Sequence, residues 1–148
     1  MKLDSAGARR LLSSARVARL ATVTSTGRPQ LVPVTFAMEG DCIYFAVDAK
    51  PKTTPHLQRL RNIRANPRVA VLADYYDEDW TALWWARADG SAVILAGAAA
   101  QAAPVALLAQ RYPQYRETPP AGPVIRVAVE RWTGWTAAAP PPAGRRRR

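Results

Sequence analysis

The sequence predicts a mainly β, α+β domain, a small antiparallel β-barrel with about three short helices at its ends. Three observations carry this. Apolar residues recur at period two in short stretches rich in β-branched and aromatic side chains. Those stretches are separated by turn signals such as STGR, EG and DG, which join neighbouring strands as hairpins. Helical periodicity occurs only in isolated segments, so a doubly wound parallel sheet is not expected.

The elements follow in order. Residues 4–15 are a helix, capped by Asp4 or Ser5, with Ala8, Leu11, Leu12 and Ala15 as its apolar stripe. Residues 17–24 (VARLATVT) are a strand and residues 30–37 (QLVPVTFA) its return. Pro33 cannot donate to a ladder, which places that strand at an edge or a bulge. Glu39 and Gly40 turn the chain into a strand over 41–47, and the three strands are expected to form a meander. A helix starts at Thr53 or Thr54, where threonine caps free N–H groups and Pro55 fills the first helical position. Its stripe is Leu57, Leu60 and Ile63, with Arg59, Arg61 and Asn62 off the stripe, and Asn66-Pro67 ends it. Residues 69–73 are a short strand, 74–79 (DYYDED) the acidic cluster, and 80–88 (WTALWWARA) an aromatic strand. Asp89-Gly90 reads as a hairpin turn leading into a strand over 91–96. A helix over 104–111, a proline-rich loop over 113–123 and a strand over 124–129 complete a domain spanning residues 1–136. That makes about seven strands. Residues 137–148, ending in Arg145 to Arg148, are a Pro/Arg-rich tail that is expected to be disordered.

Composition narrows the chemistry. The chain has 148 residues, 49% of them hydrophobic, enough for one core. A single cysteine, Cys42, and a single histidine, His56, rule out an internal disulfide and His/Cys zinc clusters. No signal-type segment or membrane-length apolar run occurs, so a cytoplasmic location is the default expectation. The net charge of +10 falls to +6 without the four terminal arginines and still favours an anionic partner. Nucleic acid is not the expected one, because no RNA-recognition or helix-turn-helix signature is present. No Rossmann glycine fingerprint and no P-loop occur.

The richest stretch is VDAKPKTTPHLQRLRNIRANPRVAV, residues 47–71. Lys50, Lys52, Thr53 and Thr54 crowd the positive end of a helix dipole, which suits a phosphate, although a solvated basic loop would read the same way. Tryptophans supply flat surfaces: Trp84 and Trp85 alternate faces on one strand, and Trp132 and Trp135 follow the last strand. Acid–base candidates are few, so no catalytic residue is assigned and no metal is expected. A flat anionic heterocycle would then carry the reactive chemistry.

The run VARLATV, QLVPVTF, IYFAVD and KPK…LRNIRANPRVAVL resembles the split β-barrel superfamily of pyridoxamine 5′-phosphate oxidase, with an FMN-binding-like fold. DEDWTALWWARADG and GPVIRVAVERWTGW are similar to its actinobacterial branch that uses the deazaflavin coenzyme F420. The resemblance implies a homodimeric oxidoreductase that passes hydride between coenzyme F420 and a small organic substrate at the subunit interface. It implies phosphate contacts from Lys50, Lys52, Thr53 and Arg59. It puts the ring against Val32, Pro33, Val34 and Thr35, and Trp85 and Arg87 at the interface groove. No proton donor is identified; solvent or a tyrosine such as Tyr75 or Tyr76 could serve. The flavin-binding relatives carry an Arg-Lys pair where this chain has Thr-Thr-Pro, which makes FMN the alternative cofactor. A non-catalytic F420 or anionic-ligand binder is the other alternative.

Overall fold

The computed structural model describes residues 1–47 and 54–138, apart from the side chains of 54–57. Seven antiparallel strands form one sheet: β1 (Ala18–Val23), β2 (Pro29–Val34), β3 (Ala37–Glu39), β4 (Cys42–Ala46), β5 (Arg68–Tyr75), β6 (Trp84–Leu95) and β7 (Val124–Thr136). Their order is β2-β1-β5-β6-β7-β4-β3. Four helices accompany them: α1 (Ser5–Ser14), α2 (Thr54–Ala65), α3 (Ala98–Arg111) and α4 (Pro113–Glu117).

The two edge strands, β2 and β3, are consecutive in sequence, joined only through Thr35 and Phe36. Three Cα–Cα steps reach at most about 11 Å. In a flat sheet of this order the same edges would stand about 29 Å apart. The sheet must therefore curl into a barrel whose seam is split between β2 and β3, the α+β split-barrel architecture expected from the sequence.

Period-two alternation turns Ala18, Leu20 and Thr22 of β1, Val69, Val71 and Ala73 of β5, and Ala86 and Ala88 of β6 inward. Leu12 of α1 and Leu60 and Ile63 of α2 close the same core. Asp4 caps α1, its carboxylate accepting the Gly7 amide at 2.7 Å. α2 ends at Ala65, before Asn66-Pro67 as expected.

Several elements differ from the sequence expectation. Residues 30–37 do not form one strand: β2 stops at Val34, and β3 pairs with β4 instead, so the expected meander is broken in two. The break is held by Tyr112, whose hydroxyl accepts the Phe36 amide at 3.1 Å and lies 3.0 Å from the Phe36 carbonyl. Asp89-Gly90 is not a hairpin. β6 runs straight through it, with a bulge where Asp89 faces Arg131 and Gly90 faces Val129. A Cβ at position 90 would run into the Ala128 carbonyl, so this glycine serves close strand approach. β7 continues seven residues past the expected end, because RWTGW stays paired with β6 out to Trp84–Thr136. The aromatic strand starts late: Trp80–Ala82 is a turn of 3-10 helix capped by Asp79, and β6 begins at Trp84. α3 begins at Ala98, six residues before Pro104, because its alanine-rich run has strong helix propensity. Four helices thus stand where three were expected. Arg59 and Asn62 are buried, not off the packed face of α2, while Arg61 is exposed.

Candidate functional site

Two polar constructions flank the β1–β2 edge of the barrel. The first lies between α2 and the strands. Asn62, 1% exposed, donates through Nδ2 to Thr22 Oγ1 at 3.0 Å and to Gln30 Oε1 at 2.9 Å. Its Oδ1 accepts from Gln58 Nε2 at 2.7 Å. One amide side chain thereby ties α2 to β1 and β2, fixing the helix that follows the basic loop. Arg59 is 6% exposed on the same helix, and its buried Nε has no hydrogen-bond partner among the described residues. Burial pulls its pKa below the ordinary arginine value.

The second lies at the split seam. The Tyr112 hydroxyl donates toward the Arg16 carbonyl at 2.9 Å as well as toward Phe36. The Arg111 guanidinium covers the Phe36 ring at 4.7 Å and donates to the carbonyls of Ser13 and Ala15. Arg16 covers the Tyr112 ring at 4.9 Å. Tyr115, on α4, stands edge-on to Tyr112 with centroids 5.8 Å apart, and its hydroxyl is 3.0 Å from Thr35 Oγ1. The seam therefore presents a fixed pair of hydroxyls beside the free edge of β2.

The expected site residues distribute as follows. Lys50, Lys52 and Thr53 lie outside the described residues. On β2, Val32 and Val34 turn toward the core, whereas Pro33 is exposed, as is Thr35 just beyond the strand. β2 is an edge strand, so part of its backbone is unpaired toward the seam. Trp85 and Arg87 lie on the outer face of β6, and the Arg87 Nε donates to Asp89 at 3.2 Å. In register, Pro33, Arg19, Leu72, Arg87 and Thr133 form one lateral row, and Asp74, Trp85 and Trp135 another. This face exposes Val17, Leu31, Leu72, Trp85 and Trp135. Its Arg19–Asp74 and Arg87–Asp89 ion pairs neutralise each other within the face.

The acidic loop is internally committed. Asp77 accepts the Asp79 amide at 2.7 Å and the Tyr75 hydroxyl at 2.9 Å. Asp79 accepts from the Thr81 hydroxyl and amide. These donors lower both carboxyl pKa values: the Asp79 amide first for Asp77, the Thr81 hydroxyl first for Asp79. Asp77 in turn raises the pKa of Tyr75, which makes that phenol a poorer acid than an ordinary tyrosine. Among the described residues no three His, Cys, Asp or Glu side chains converge as metal ligands, and no helix is long and apolar enough to cross a membrane.

Sequence reasoning missed Tyr115 and the Gln58–Asn62–Gln30 chain. The spacing Tyr112-x-x-Tyr115 signals a shared helical face only when 113–117 is read as helix, and the four prolines of 113–123 hid that.

Solved structures share the fold. A conserved hypothetical protein of Mycobacterium tuberculosis superposes with TM-score 0.73 at 23% identity, covering 91% of this chain and 86% of that one. An FAD-binding protein from Mesorhizobium loti gives 0.69 at 20% identity, covering 90% and 95%. A haem storage protein from Vibrio cholerae gives 0.67 at 16% identity, covering 86% and 90%. No curated protein matches the sequence. The family model described as pyridoxamine 5′-phosphate oxidase matches residues 6–136, nearly the whole described barrel, and the chain belongs to that family.

Proposed function

We propose that the protein is a homodimeric oxidoreductase that transfers hydride between the deazaflavin coenzyme F420 and a small organic substrate, with the cofactor held at the subunit interface. The observation that carries this is Arg59. A buried guanidinium with an unpartnered Nε among the described residues is costly unless an anion meets it. It sits on the helix whose first turn follows Lys50, Lys52 and Thr53, so all four residues would hold a cofactor phosphate.

The reduced deazaflavin supplies the hydride. The chain's own residues bind and orient. Pro33 and Thr35 offer side chains and the free backbone edge of β2 to the ring, and Val32 and Val34, paired with β1, back them from the core side. Trp85 and Arg87 lie on the outer face that a second copy would cover. That face suits burial because two of its arginines, Arg19 and Arg87, are paired with Asp74 and Asp89 and apolar and aromatic side chains lie beside them. The domain's positive charge complements the cofactor's oligoglutamate tail.

A flavin in the same groove is the second reading, favoured by the FAD-binding protein of the same fold. Titration of the purified protein with coenzyme F420 and, separately, FMN, followed by cofactor fluorescence, decides between them. Micromolar or tighter binding of F420 alone is the expected result. Preference for FMN replaces the deazaflavin reading with the flavin one. The Lys50→Ala/Lys52→Ala double variant is expected to lose about 1.5–3 kcal/mol of binding per charge-assisted contact. Unchanged affinity would move the phosphate elsewhere.

A further inference from the structure

We propose that the loop between β5 and β6 is a docking surface for this chain's own Pro/Arg-rich segment, residues 140–148. The prolines would seat on Tyr76 and Trp80, and the arginines on the loop carboxylates. The starting point is exposed aromatic surface. Trp80 is the most exposed large apolar side chain among the described residues, at 68%, and Tyr76 reaches 63%. A folded domain seldom gives so much of a tryptophan to water without a partner for it. Neither residue belongs to the sheet face proposed to pair two subunits, because β5 ends at Tyr75 and β6 begins at Trp84.

The loop holds its shape through its own hydrogen bonds. Asp77 accepts the Tyr75 hydroxyl and the Asp79 amide, and Asp79 Oδ1 accepts from Thr81. Asp79 Oδ2 and the Glu78 carboxylate have no hydrogen-bond partner among the described residues. Residues 74–84, DYYDEDWTALW, contain no Lys or Arg, although the chain carries a net charge of +10. The surface is therefore aromatic with an acidic border. Its complement is a segment that offers rigid apolar rings and cations together.

The occupant follows from where the described chain leaves the fold. Thr136 ends β7 opposite Trp84, and the Ala137 amide donates to the Leu83 carbonyl at 2.9 Å. Leu83 caps the 3-10 turn that begins at Trp80. Residues 139–148, outside the described residues, read APPPAGRRRR. The seven steps from Ala138 to Arg145 span at most about 25 Å, so the prolines start beside Trp80 and the arginines stay within reach of the loop. Three successive prolines favour polyproline II, which loses little entropy on docking and packs on aromatic planes. Arginines complement the carboxylates and can also cover the aromatic rings. The remainder of the molecule is net positive and repels them. Because the segment is tethered next to its surface, at an effective concentration in the millimolar range, weak contacts suffice.

The test is limited trypsin cleavage of the full chain at low ionic strength, with cuts after Arg145, Arg146 and Arg147 followed by mass spectrometry. A synthetic peptide of residues 137–148 in the same reaction sets the undocked rate. Wild type is expected to be cut there about tenfold more slowly than the peptide, because cleavage follows the undocked fraction. Trp80→Ala and Glu78→Lys should each bring the rate close to that of the peptide, and so should 1 M salt in wild type. Both positions are exposed, so thermal melts should match wild type. Tyr76→Ala repeats the aromatic test away from the 3-10 turn, should Trp80→Ala melt early. Equal rates in wild type and all variants overturn the inference. A rate moved by the aromatic variants alone, or by Glu78→Lys alone, also overturns it, since the docking needs both the rings and the charge. Protection that grows with protein concentration would put the segment on a second copy and overturn docking within one chain. None of these readouts depends on the cofactor, so the deazaflavin reading stands or falls separately.

Discussion

Asn62 shows what a single side chain does in this barrel. It is nearly inaccessible, and both its donors and its carbonyl are engaged. Asn62→Ala strands the Thr22 and Gln30 oxygens and the Gln58 amide. The expected loss is about 2–3 kcal/mol in urea denaturation, because a buried polar group left unpaired costs its full desolvation. Arg61→Ala, one residue away on the exposed face, should stay within about 0.5 kcal/mol. Equal effects would mean the network adds nothing. Hydrophobic periodicity found Leu60 and Ile63 but put Arg59 and Asn62 outside the packed face. Spacing reports where apolar residues point, and it is blind to a polar residue whose partners come from distant strands. The same limit hid Tyr112 as the residue that splits the seam: its partners, Arg16 and Phe36, are 96 and 76 residues away.

At the scale of elements, most strands were legible because alternation is a local property. The errors fell where two structures share one local signal. Asp-Gly is a hairpin sequence, but glycine is equally required where strands crowd, and only the length of the partner strand distinguishes them. β7 extends far enough to pair with both halves of β6, so the glycine became a bulge. This makes a ranking of glycine substitutions. Gly90→Ala forces its Cβ into the Ala128 carbonyl and should cost about 3 kcal/mol or prevent folding. Gly40→Ala, at a turn with φ +57 and open space around it, pays only the backbone term, about 1–2 kcal/mol. Thermal melts of the two variants check the order. A Gly40→Ala protein less stable than Gly90→Ala would contradict the packed bulge.

The whole molecule is governed by which face of the sheet is left over. The inner face, α1 and α2 close one core, yet the outer face of β1, β2, β5, β6 and β7 still exposes Val17, Leu31, Leu72, Trp85 and Trp135. Composition announced enough apolar surface for a core, but it could not say that a second apolar face would remain, since that depends on strand order. Leu72 is the informative position. In register it lies between Arg19 and Arg87, so Leu72→Arg sets three guanidinium groups in one row of the proposed interface. Desolvating that row against a second copy is strongly unfavourable, whereas in a free monomer the new side chain reaches water. The expected outcome is a folded monomer by sedimentation equilibrium, with its melting temperature lowered mainly by the loss of the dimer. Coenzyme F420 affinity should fall together with dimerisation, because the groove is proposed to need both subunits. A variant that still dimerises would place the interface on another face. A monomer that keeps full cofactor affinity would place the groove within one subunit.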